Sequence, residues 1–79
     1  MTDYDDLRDD LTPAERRALF YVRRLMIDEG RMIAGVWVYR RANRRYRVGS
    51  VPSPQFGSLP TIQLWAVREV LRQARERAA

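Results

Sequence analysis

Residues 35–49, GVWVYRRANRRYRVG, decide the fold. Two runs of alternating apolar and polar residues flank a basic, asparagine-containing turn, the pattern of an antiparallel β-hairpin. The first strand is expected over residues 31–40, with Met32, Ala34, Val36 and Val38 on one face and Ile33, Gly35, Trp37 and Tyr39 on the other. In the second, residues 44–50, Tyr46 and Val48 oppose Arg45 and Arg47. Arginine seldom points into a core, so Tyr46 and Val48 are the expected buried pair.

The turn sets which residues of the first strand join them, because a one-residue slip exchanges the two faces. A two-residue loop of Ala42 and Asn43 needs positive φ at both positions, which alanine resists. A three-residue loop of Arg41, Ala42 and Asn43 needs it only at Asn43, and asparagine tolerates it well. That loop pairs Val38 with Tyr46 and Val36 with Val48, and sets Trp37 opposite Arg47 and Tyr39 opposite Arg45 on an outer face. The even loop instead buries Trp37 and Tyr39.

Working outward, Thr12, Pro13 and Glu15 form a capping box with proline at the first helical position. A helix is expected from there to about Glu29, ended by Gly30. Its core stripe is Ala18, Leu19, Val22, Leu25 and Met26. Phe20 and Ile27 lie on another side near Arg23 and Arg24, a candidate dimer or partner surface. After the hairpin, Pro52 and Pro54 argue against a third strand, and Phe56 is the expected anchor of the loop. The last helix starts at Ser58 or Leu59 and buries Leu64, Val67, Val70, Leu71 and Ala74. Trp65 falls beside Arg68 and Arg72. It either lies under the proline-rich loop with Phe56 or serves as an aromatic anchor for a partner.

The expected architecture is a small α+β domain of α-β-β-α order: a two-stranded antiparallel hairpin with both helices packed on one face. Residues 1–11 are expected to be an acidic flexible tail and 12–79 the single domain. A two-stranded sheet is marginal, so a homodimer pairing edge strands is a further expectation.

Composition narrows the function. The 79 residues contain no cysteine and no histidine, which removes disulfides, thiolate zinc sites and His-based or thiol catalysis. No cofactor, no metal site and no enzymatic activity are therefore expected. No leader or membrane span is read, and a cytoplasmic location follows. The net charge is +5, and the fifteen basic residues are all arginine. That reflects either GC-rich coding or selection for the guanidinium fork. The charge is uneven: residues 1–10 hold five aspartates and one arginine, −4, which leaves +9 on the rest. The tail either keeps a basic protein soluble or imitates phosphates and screens the basic face.

Arg40, Arg41, Arg44, Arg45 and Arg47 around Trp37 and Tyr39 give the first functional expectation, a nucleic-acid-binding module that neutralises phosphates and stacks rings on bases or sugars. A two-stranded ribbon suits the major groove. Over residues 35–75 the order of strands and supporting helix resembles integrase arm-binding and plant AP2-type domains, without a shared motif, and that resemblance implies DNA reading from a sheet. The second expectation is a small inhibitor or adaptor that covers an acidic protein or nucleoprotein surface. In size and charge pattern the chain is similar to phage-encoded inhibitors, anti-CRISPR proteins among them. Its anchors would be the same hairpin residues together with Trp65, Phe20 and Ile27.

Overall fold

The computed structural model describes residues 10–78. Helix α1 (Pro13–Arg24) is followed by strands β1 (Glu29–Ile33), β2 (Val36–Ala42), β3 (Arg45–Val48) and β4 (Val51–Pro52), then by helix α2 (Leu59–Ala78). The strands form one antiparallel sheet in the order β1-β2-β3-β4. The sheet thus has four strands where two were expected, and both extra strands lie at its edges.

The first extra strand arises from a turn inside the run expected to be continuous. Ala34 and Gly35 both take positive φ, 53° and 80°, the requirement of a two-residue hairpin turn with the twist of its strands. Alanine's reluctance to enter this region is overcome here by the pairing on either side. Because the turn reverses the chain, Ile33 pairs with Val36 and Met32 with Trp37. Ile33 is therefore buried and Met32 exposed, the reverse of the expected faces.

The second extra strand passes through Pro52. The Ser53 amide donates to the Tyr46 carbonyl at 2.8 Å, so alternation turns position 52 away from β3. An edge strand tolerates proline at such a position. The Ser53 hydroxyl in turn accepts from the Tyr46 amide at 3.0 Å, which closes the ladder.

The turn between β2 and β3 also differs from expectation. Ala42 pairs with Arg45 around Asn43 and Arg44, and Arg41 is an extra residue in a bulge between Arg40 and Ala42. Asn43 does not take positive φ. Val38 pairs with Val48 and Arg40 with Tyr46, a register two residues away from the expected one. A shift of two preserves the faces. Val36, Val38, Tyr46 and Val48 are buried as expected, and the three-residue loop proposed to bring this about does not form.

The capping box of α1 is present, with the Glu15 amide donating to Thr12 Oγ1 at 3.1 Å and the Thr12 amide to Glu15 Oε1 at 2.8 Å. The helix stops five residues before the expected end. Leu25 turns extended, and Asp28 rather than Gly30 takes the left-handed conformation, with φ 68°. Aspartate is among the few residues that do so readily. The connection is held by the Asp28 amide on the Arg40 carbonyl, 2.6 Å, and by Arg40 Nη1 on the Leu25 carbonyl, 2.8 Å. Ala18, Leu19, Val22 and Leu25 are buried, whereas Met26, beyond the helix, is 70% exposed.

One core joins these helical residues to the inner sheet face and to Ile62, Leu64, Ala66, Val67 and Val70 of α2. Both helices lie on that face and leave the other open. Leu11, expected in the tail, belongs to the core. Gln63 is the buried polar residue of α2, and its amide reaches the buried Tyr46 hydroxyl at 3.2 Å. Phe56 is 86% exposed and anchors nothing; Leu59 and Ile62 tie the start of α2 to the core instead. No helix among the described residues is long and apolar enough to cross a membrane. With four strands present, the case for dimerisation from a marginal two-stranded sheet no longer holds.

Candidate functional site

The open sheet face carries Met32 from β1, Trp37 and Tyr39 from β2, Arg45 and Arg47 from β3, and Pro52 from β4. Alternation along each strand puts them outward because their neighbours fill the core. Trp37, Tyr39, Arg41, Arg45, Arg47 and Pro52 line a shallow depression of about 590 Å³.

Trp37 lies across β1. A Cβ added to Gly30 would sit 2.3 Å from its Cζ2 and 2.9 Å from Cε2 and Cη2, so the ring rests on the glycine backbone. Only glycine permits this approach. The indole is still 48% exposed, so its other side faces solvent.

Tyr39 is fixed from the opposite end. Its hydroxyl donates to Asp28 Oδ1 at 3.0 Å. That bond, with a smaller contribution from burial, raises its pKa above the ordinary tyrosine value, because ionisation would place a phenolate beside a carboxylate. The nearby Arg41 pulls the other way.

The five hairpin arginines divide into two groups. Arg41, Arg44, Arg45 and Arg47 are exposed and form no salt bridge among the described residues. Arg40 shares the inner face with Tyr46. Its Nη1 donates to Leu25 O, its Nη2 to Asn43 O at 2.8 Å and to Asn43 Oδ1 at 3.0 Å, and its guanidinium lies 5.4 Å from the Tyr46 ring centroid. Its buried Nε has no hydrogen-bond partner among the described residues. Arg40 therefore braces the hairpin turn against the end of α1 and is not part of the open face.

The second set of candidate residues is dispersed. Phe20 is 51% exposed with Arg24 stacked at 4.1 Å, and together with Arg23 they line one shallow depression. Ile27 is exposed beyond the helix end. Trp65 is half-buried against the core, and Phe56, expected beside it, is exposed. Arg68 approaches Glu15 at 3.8 Å, and Arg72 pairs with Glu69 and, at 2.6 Å, with Glu76. The bond to Arg72 lowers the pKa of Glu69 despite partial desolvation, and Glu69 raises that of Arg72.

Sequence reasoning missed Gly30, Met32, Asp28 and Pro52. The first three depend on the Ala34-Gly35 turn, for which a glycine at the second position was the sole signal. Among the described residues, no group of three or more acidic, histidine or cysteine side chains could hold a metal ion. The screening role considered for the acidic tail falls, apart from Asp10, on residues outside those described. Comparison with protein-family models, with curated proteins and with solved structures finds no match.

Proposed function

We propose that this protein is a non-enzymatic nucleic-acid-binding module of the cytoplasm whose interface is the open sheet face. The observation that carries this reading is the juxtaposition of Trp37 and Tyr39 with Arg41, Arg45 and Arg47, cations that form no salt bridge among the described residues, although Asp28 lines the same depression. Arginines so placed suit phosphates, and positioned rings suit bases or sugars. The lack of histidine and cysteine in the sequence favours binding over catalysis. Titration of labelled DNA and RNA, single-stranded and duplex, in rising salt tests it. Affinity is expected to fall linearly on logarithmic axes, and absence of binding at low salt overturns the reading.

A second reading, an inhibitor or adaptor that blocks a larger protein, is favoured by a different observation. Phe20, Met26 and Ile27 expose large apolar side chains within a short segment at the end of α1. Capture of a partner from the host in a complex that survives nuclease supports this alternative. Loss of the partner on nuclease treatment counts against it.

A further inference from the structure

We infer that the ligand of the open face is a single strand of nucleic acid, one base of which stacks on the solvent side of the Trp37 indole. This rests on the nucleic-acid reading above and narrows it. The ring already has a backing on one side, the Gly30 backbone, so a base arriving on the other completes a sandwich with no rearrangement of the side chain. Tyr39, two residues along the same strand, is held by Asp28 and borders the same depression.

The form of the ligand follows from what each nucleic acid can offer such a ring. In a duplex the base faces are hidden inside the stack, and the grooves present edges. A ring lying on a sheet presents its face, and only an unstacked base can match it. Spacing agrees. Outward residues of one strand are about 6.7 Å apart, whereas stacked bases are about 3.4 Å apart, so Trp37 and Tyr39 suit bases splayed along an extended strand. The width of the sheet adds to this. Four strands span about 14 Å between outer axes before side chains are counted, which exceeds the roughly 12 Å of a major groove. Arg45 and Arg47 of β3, with Arg41 at the end of β2, line the same depression as the rings, where the phosphates of such a strand would run.

The test uses the full chain carrying Trp65→Phe, so that Trp37 is the sole tryptophan, with oligo-dT, oligo-rU, an abasic strand of equal length and charge, and a dA·dT duplex. Binding of dT or rU is expected to quench Trp37 emission, with affinity at least about tenfold above that of the abasic strand and of the duplex. Trp37→Ala should lose that advantage and Trp37→Phe keep part of it. The dT and rU arms distinguish DNA from RNA. Equal affinity for the abasic and base-bearing strands, measured on protein with Trp37 intact, overturns the inference and leaves the nucleic-acid reading standing. Binding of none of the four at low salt overturns both.

Discussion

The indole of Trp37 rests on the backbone of Gly30, with a would-be Cβ only 2.3 Å from Cζ2. The two residues face each other diagonally across β1 and β2, since Met32 is the direct partner of Trp37 and Tyr39 that of Gly30. Glycine weakens a strand interior, and an aromatic ring laid over it covers the exposed backbone. One contact thus stabilises an edge strand and orients the ring that the binding face depends on.

Gly30→Ala separates these two roles. The new methyl group displaces the ring, and a half-exposed indole can swing outward, so the cost in stability should be near the lower end of overpacking, about 1 kcal/mol. Trp37 emission, read in a Trp65→Phe background, should change with its new environment while the melting transition stays cooperative. Unchanged emission would show that the indole does not rest on Gly30.

Arg45→Ala with Arg47→Ala should change binding without changing the fold. Both side chains are exposed and form no salt bridge among the described residues, so stability should move by no more than about 0.5 kcal/mol. The logarithmic salt slope for single-stranded DNA should become shallower by about 1.4, from about 0.7 per lost phosphate contact. An unaltered slope would remove these two residues from the interface.

Arg40→Ala should behave in the opposite way. It strips the Leu25 carbonyl and the Asn43 turn of a charged donor, a loss of about 2 kcal/mol, or roughly 8–16 °C in melting temperature for a domain of this size. The salt slope of whatever folded protein remains should match that of the wild type. A shallower slope with unchanged melting would return Arg40 to the interface.

The Tyr39–Asp28 hydrogen bond predicts a pH dependence with a definite sign. The folded-state pKa of Tyr39 is raised, so the bond contributes below the ordinary tyrosine pKa of about 10 and is lost as pH rises through the higher folded value. Phenolate absorbance of the wild type minus that of Tyr39→Phe should give a midpoint above the ordinary one. Asp28→Asn should bring that midpoint down. A midpoint unaffected by Asp28→Asn would show that the bond does not hold the ring.

Much of the face pattern was legible from side-chain chemistry alone. The alternation of valines and arginines buried Tyr46 and Val48 and sent Trp37, Tyr39, Arg45 and Arg47 outward, even though the turn argued for it was wrong. The bulge at Arg41 corrects the parity that the Asn43-Arg44 turn would otherwise reverse. Burial of an apolar face constrains parity more tightly than turn propensity does. Arg40 follows Val36 and Val38 in the same alternation, which by itself sets it on the inner row beside Tyr46, so grouping it with the outward arginines went against the pattern.

The amino-acid sequence by itself determined the α+β class, the capped start of α1, the extent of α2 and the basic, aromatic character of the hairpin. These follow from local spacing and capping, which act within a few residues. Only the tertiary structure decided the number of strands, the end of α1 and the partner of Trp37. Each depends on contacts between residues distant in sequence. Arg40 holds the carbonyl of Leu25 where the helix stops, β-pairing on both sides carries Ala34 into a conformation it disfavours alone, and Gly30 supplies the open backbone on which Trp37 lies.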